Sequence, residues 1–332
     1  MRALYEPLSQ EPELMKVKEG LKKDKVPVLL TGCTDNQKCH VMKYIGEEYL
    51  YRVIITYDES RGKQLQEEYH FFDKNVHFYP SKDVLFYSAD VHGNEIVKQR
   101  QNVIKGLLDK QPLTVVVTLD GLLDKVVPLS EIESQVLRFP VGQQIVLEEL
   151  KEKLIHLGYE RASFVEGTGQ FAIRGGIIDI FPLTEDCPYR IELWDDEVDS
   201  IRSFDVQSQR SIESVEELAF YPACEMVLDK KRIEKGIERI EEEFRAVYEK
   251  LRGEFKTEES HRLKKMVEKV KEDLTEFNAA MGLDSFLPYF YEKTVSLLDY
   301  FPKGETVFFL DEPNRIQESA YACQLEFQES MT

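Results

Sequence analysis

Phe171-Ala-Ile-Arg-Gly-Gly-Ile-Ile-Asp-Ile-Phe-Pro182, followed by Tyr189-Arg-Ile-Glu-Leu-Trp-Asp-Asp196, carries the densest strand signal in the sequence and its only tryptophan. Successive side chains of a strand point to opposite faces. Tyr189, Ile191 and Leu193 therefore share one face, which reads as core. Arg190, Glu192 and Trp194 share the other, a cation, an anion and a large aromatic of the kind found in binding hot spots. Arg174 points outward beside them if its strand is regular. The Gly175-Gly176 pair leaves open a bulge that would turn it elsewhere.

Upstream, the pattern changes to β-α-β alternation. Apolar runs at 26–31, 52–57, 76–79 and 114–119 read as strands, with helices at 35–48 and 94–108 between them. Continuous apolar runs fit buried parallel strands joined by right-handed crossovers. From about residue 129 a helix at 143–157 (Val146, Leu150, Leu154, Leu157) precedes strands at 163–166, 170–174, 176–181, 189–194 and 197–204, which suggests a small α+β insertion. After Pro222, Ile233, Ile237, Ile240, Phe244, Val247 and Leu251, then Leu263, Val267, Val270, Leu274 and Phe277, keep helical spacing and predict a hairpin over 229–280. A last strand at 306–310 is placed to rejoin the first sheet. The expected organisation is 1–128, 129–222 and 223–332.

A length of 332 residues implies roughly two domains. The net charge of −19 argues against a chain whose main task is gripping nucleic acid. Five cysteines without paired spacing fit a reducing cytoplasm and no metal site. No apolar run approaches the roughly 20 residues of a membrane span, and the N-terminus lacks a signal-peptide core.

The first run leads into Gly32-Cys-Thr-Asp-Asn-Gln37-Lys38-Cys39. This keeps the register of a phosphate-binding loop, Gly-x4-Gly-Lys-Ser/Thr. Gln37 replaces the second glycine, where a Cβ obstructs backbone approach to phosphate. Cys39 replaces the hydroxyl that would hold magnesium, a cation that prefers oxygen. Val307-Phe-Phe-Leu-Asp311-Glu312 resembles the acidic strand of such sites. Together they read as a degenerate nucleotide-binding domain. Asp195, Asp196, Glu197 and Asp199 read as an acidic hairpin turn or as a metal cluster.

Residues 171–182, then Pro188-Tyr-Arg-Ile-Glu-Leu-Trp-Asp-Asp-Glu-Val-Asp-Ser-Ile-Arg-Ser-Phe-Asp205 and Ser208-Gln-Arg-Ser211, closely resemble the bacterial transcription-repair coupling factors. Phe78-Tyr-Pro-Ser-Lys-Asp-Val-Leu-Phe-Tyr-Ser-Ala-Asp90 and Leu287-Pro-Tyr-Phe-Tyr-Glu-Lys-Thr294 extend the resemblance over essentially the whole chain. It implies an α/β, P-loop NTPase-like (helicase-like) domain that has lost its phosphate loop, split by a small insertion that binds the excinuclease subunit UvrA. Two arginines and an aromatic of that family's contact surface fall on Arg174, Arg190 and Trp194, with Glu192 joining them. The aromatic is often Phe, so Trp194 departs from the pattern. The resemblance implies no catalysis and no cofactor here. ATP and magnesium belong to the family's C-terminal motor, RNA polymerase and DNA are bound by other regions, and the C-terminal region masks the UvrA surface at rest. The rival is UvrB itself, a nucleotide- and DNA-binding helicase relative with an intact loop. Two points stay open: Trp194 as core or interface, and Arg174 as a mere ion-pair partner of Asp179 or Glu192.

Overall fold

The computed structural model describes residues 2–23, 26–82, 92–276 and 286–330. Residues 83–90 of the stretch Phe78–Asp90, and Phe277 of the hairpin stripe, lie outside these. The strands in chain order are β1 (Tyr51–Thr56), β2 (Val76–Tyr79), β3 (Leu113–Thr118), β4 (Lys125–Val126), β5 (Leu137–Pro140), β6 (Glu160–Arg161) and β7 (Gln170–Arg174). They continue with β8 (Ile177–Ile180), β9 (Tyr189–Trp194), β10 (Glu197–Phe204), β11 (Ser211–Val215), β12 (Glu217–Phe220), β13 (Val295–Ser296) and β14 (Thr306–Leu310). The chain divides into two compact units: Met1–Lys82 with Asn102–Asp124 and Ser296–Thr332, and Asp83–Gln101 with Lys125–Val295.

The first unit holds a four-stranded parallel sheet in the order β14-β1-β3-β2. β1 and β3 are buried along their whole length, as their apolar runs require. Arg52 is the charged residue in β1. Its Nε donates to Thr114 Oγ1 at 2.8 Å and its Nη1 to the Tyr49 carbonyl at 2.8 Å. Cys39 and Met42 of helix Asp35–Gly46, and Leu65 and Tyr69 of helix Glu59–His70, pack with Ile54, Phe78 and Val116. The last strand does rejoin the sheet: β14 runs parallel to β1, with Val53 opposite Phe308. Residues 26–31, expected as the first strand, are not in any strand, and Val26 and Leu29 are exposed. Pro27 removes one ladder donor from that short run.

The second unit is built on a six-stranded sheet, β11-β10-β9-β8-β7-β6, antiparallel except for the β6–β7 pair. Phe171, Ile178, Ile180, Ile191, Val198 and Ile201 form its apolar face and pack with Leu150 and Leu154 of helix Leu147–His156. Two expectations need correction. The helix begins at Leu147, leaving Val146 as its exposed cap residue rather than part of the stripe. Residues 163–166 form no strand; Val165 is buried against Ala172 and Phe181, while Phe164 is exposed. Beyond the sheet, helices Lys230–Gly253 and Thr257–Glu276 form the expected hairpin. Asp229 caps the first by accepting from the Arg232 backbone N–H at 2.7 Å, and Lys271 pairs with Glu241 across the hairpin.

Gly236 is a glycine for space. A Cβ there would lie 2.2 Å from Phe290 Cδ1, a ring that is itself buried. Alanine gains helix propensity of about 1 kcal/mol but overpacks a filled core, at a typical cost of about 1–3 kcal/mol. Gly236→Ala is therefore expected to lower the thermal midpoint. A raised midpoint would show that the helix and Phe290 do not pack this closely.

Candidate functional site

The polar face of the six-stranded sheet is ordered in rows. Ala172, Asp179, Arg190 and Arg202 stand opposite one another across β7, β8, β9 and β10. Arg174, Ile177, Glu192 and Ser200 form the next row, and Trp194 faces Glu197 beyond it. Gly175-Gly176 makes a two-residue turn, with Gly175 at φ 60 and Arg174 paired to Ile177, so no bulge intervenes and Arg174 shares the polar face. Asp195 at φ 60 begins the corresponding turn after Trp194.

The row is centred on Asp179, a carboxylate only 2 % exposed. A buried charge must be paired and hydrogen-bonded. Arg190 donates to it through Nε at 2.6 Å and Nη2 at 2.9 Å, and Arg174 donates through Nη2. Arg190 Nη2 also reaches Gln209 Oε1 at 2.9 Å, and Arg174 Nη1 donates to the Ser163 carbonyl at 3.2 Å. Each guanidinium lies by an aromatic ring: Arg174 is 4.9 Å from the Phe164 centroid and Arg190 is 4.6 Å from that of Phe204. The hydrogen bond to Asp179 holds the Arg190 pKa above the ordinary arginine value.

The structure thus brings Arg174 and Arg190 together on one carboxylate. Of the two partners open to Arg174, it takes Asp179. Glu192 instead accepts from Ser200 Oγ at 3.2 Å and pairs with Arg202. Trp194 is 80 % exposed, which places it on the surface rather than in the core. Of the acidic residues after it, Asp195 and Asp196 form the hairpin turn and Glu197 and Asp199 lie in β10, and no metal-holding cluster occurs among the described residues. Phe164 and Phe204 escaped the sequence reading: one sits in an irregular segment, and the other reads as ordinary core. Asp179 had a signal, a lone charge inside Ile-Ile-Asp-Ile-Phe.

The loop at Gly32 is differently arranged. Gly32 has φ 85 and leads into helix Asp35–Gly46. Gln37 Oε1 accepts from the Thr34 N–H at 3.0 Å, a capping interaction at the helix start. Lys38 Nζ lies 2.5 Å from Glu312, 3.2 Å from Asp311 and 3.4 Å from Asp35. Arg61 pairs with Asp311 and Asp35, each at 2.9 Å. Burial works against the charge on Lys38, but hydrogen bonds to Glu312 and Asp311 outweigh it and raise its pKa. Cys39 is fully buried; burial, reinforced by Glu68, pushes its thiol up to about 12. It is a neutral thiol at physiological pH.

No helix among the described residues is long and apolar enough to cross a membrane. The family model of the UvrB interaction domain matches residues 137–226, which include this sheet from β6 to β11. The transcription-repair-coupling factor of Bacillus subtilis (strain 168) is 36% identical over 260 residues, 78% of this chain and 22% of that protein. That of Staphylococcus haemolyticus (strain JCSC1435) is 31% identical over 298 residues, 88% of this chain and 25% of that protein. That of Staphylococcus aureus (strain MRSA252) is 29% identical over 304 residues, 90% of this chain and 25% of that protein. The chain spans about a quarter of the length of these curated relatives. Over most of its own length, then, this chain is similar to the transcription-repair-coupling factors, and its residues 137–226 match the family model of the UvrB interaction domain.

Proposed function

We propose that this chain is a recruiting module: the polar face of its six-stranded sheet binds UvrA, bringing excision repair to RNA polymerase stalled on the transcribed strand. The observation that carries this reading is the pair Arg174 and Arg190, fixed on Asp179 on the sheet face that also bears the exposed Trp194. Arginine and tryptophan are the residue types that dominate interface energies. Guanidiniums already held in place lose less entropy on binding than free side chains. Glu192, paired with Arg202, sets the rim of the same surface. In this reading, RNA polymerase and DNA are bound by other regions of a longer protein. ATP and magnesium serve a motor elsewhere in it, and its C-terminal region covers the UvrA surface at rest.

The second reading, a UvrB-like nucleotide- and DNA-binding fragment, is favoured by the spacing of Gly32 and Lys38 at the start of helix Asp35–Gly46, although no strand precedes that loop. Three carboxylates count against it. A phosphate at Lys38 would have to displace Glu312, Asp311 and Asp35 from the two cations they already neutralise. Gln37 and Cys39 supply neither the close backbone approach nor the hard oxygen ligand that magnesium-nucleotide needs. We therefore infer that this module hydrolyses no nucleotide and that the ion cluster is structural.

Arg190→Glu is expected to abolish retention of cognate UvrA in a pull-down while leaving the circular dichroism spectrum unchanged; normal retention would end the recruiting reading. Calorimetry with Mg-ATP is expected to give no measurable heat of binding, and a micromolar site would restore the nucleotide-binding reading. The cluster also has a pH signature. Burial raises the Asp311 pKa, but Arg61 and Lys38 more than offset this and hold it below the ordinary aspartate value. A depressed carboxylate stabilises the fold above its unfolded pKa of about 3.9 and loses that contribution as pH falls through the folded value. The stability gap between the unmodified chain and Asp311→Asn should be full near neutrality and shrink below about pH 4. A gap independent of pH would show that Asp311 acts without its charge.

A further inference from the structure

We propose that Asp179 is a positioning residue for partner binding: it aims the free donors of Arg174 and Arg190 at a carboxylate on the partner. This deepens the recruiting function and rests on it. Asp179 uses both oxygens inward of the surface. Oδ1 accepts from Arg190 Nε, and Oδ2 accepts from Nη2 of both arginines. Side-on pairing through Nε and Nη2 fixes the plane of the Arg190 guanidinium. Gln209 Oε1 ties Nη2 a second time, and the Gln209 amide is anchored in turn by donating to the Val206 carbonyl at 2.8 Å. Gln209 sits at φ 57, so its backbone is set in the tight turn that places this side chain.

That arrangement leaves a defined remainder. Arg190 Nη1 and Arg174 Nε make no hydrogen bond among the described residues. The Arg190 Nη1 group lies on the guanidinium edge away from Asp179. Two cations share one anion, so the triad keeps a net positive charge within a chain of net charge −19. The chemistry that answers unspent guanidinium donors with a positive excess is a carboxylate side chain. Phe164, exposed beneath Arg174, supplies apolar contact beside it.

The proposal has a sign that separates it from simple attraction. Asp179→Asn makes the patch more positive. If charge alone recruited the partner, this variant would bind more tightly and with steeper salt dependence. If Asp179 positions the arginines, it binds more weakly despite the added charge.

The test is titration of cognate UvrA against the 332-residue chain at two salt concentrations, with Arg190→Glu alongside. Asp179→Asn is expected to weaken binding by about tenfold or more. In the unmodified chain the Arg190 Nε–H resonance should be protected from solvent exchange, and in Asp179→Asn that protection should be lost while backbone amide protection in β8 and β9 persists. Unchanged or tighter binding by Asp179→Asn, with Arg190→Glu inactive, overturns the positioning role and leaves the recruiting surface standing. Normal binding by Arg190→Glu overturns both. Should Asp179→Asn not fold, Gln209→Ala decides the matter, because it loosens Arg190 without burying an unpaired group. A loss of about threefold at an unchanged thermal midpoint supports positioning, and unaltered binding overturns it.

Discussion

A carboxylate taken out of water has to be answered by positive charge, and Asp179 imposes that demand on the strands either side of it. Arg190 answers from directly across β9. Ala172 stands directly across β7 and is too small to answer, so the answer comes from Arg174 on the diagonal. Long side chains reach diagonal positions on a sheet face. Removing one partner from a buried pair costs about 3–5 kcal/mol, against about 1 kcal/mol or less for an exposed pair. The two arginines are therefore tied to the fold as well as to the surface. Their role as fold-stabilising partners and the recognition role proposed for them are not alternatives; the first is how the second would be made rigid.

The same chemistry of paired cations and carboxylates composes the loop at Lys38, with the opposite balance. There two cations, Lys38 and Arg61, face three carboxylates, Asp35, Asp311 and Glu312. On the sheet, two cations face one. The first arrangement is closed, because every cation is matched and an incoming anion meets net negative charge. The second is open, because donors remain after the buried carboxylate is satisfied. Loss of a phosphate-loop glycine and hydroxyl is visible in the sequence at Gln37 and Cys39. Asp311 and Glu312 are visible too, as the acidic end of a strand, but the pairing of Asp311 with Arg61 is not, since the two are 250 positions apart.

What was legible follows from local physics. Strict alternation in β9 placed Arg190, Glu192 and Trp194 on one face, and continuous apolar runs gave β1 and β3. Return of the chain through β14 was readable from one apolar run ending in Asp311. Other features depended on partners the sequence does not name. Residues 26–31 are as apolar as β1 but pair with nothing, because a strand needs an adjacent edge as well as a composition. Val146 fits the helical stripe and lies outside it, because the helix starts one residue later. The direction of Arg174 hung on whether two glycines formed a turn or a bulge, which composition leaves open and the pairing of Arg174 with Ile177 decides. Phe164 became visible only through the guanidinium above it.

Trp194 gains its meaning from this frame. A single exposed apolar side chain is ordinary on a protein surface and by itself argues for nothing. Trp194 differs because it ends the strand that also carries Arg190, four residues and therefore two same-face positions away. At about 3.3 Å of rise per residue, the indole and the guanidinium start roughly 13 Å apart on one rigid strand. A tight two-residue turn, Asp195-Asp196, closes the β9–β10 hairpin just beyond Trp194, and at the other end the ion pair with Asp179 on β8 holds Arg190 in place. A partner that places an acidic side chain at the arginines is thereby told where its apolar pocket for Trp194 must be. Specificity on such a face comes from that fixed separation, since either contact alone is available on many surfaces.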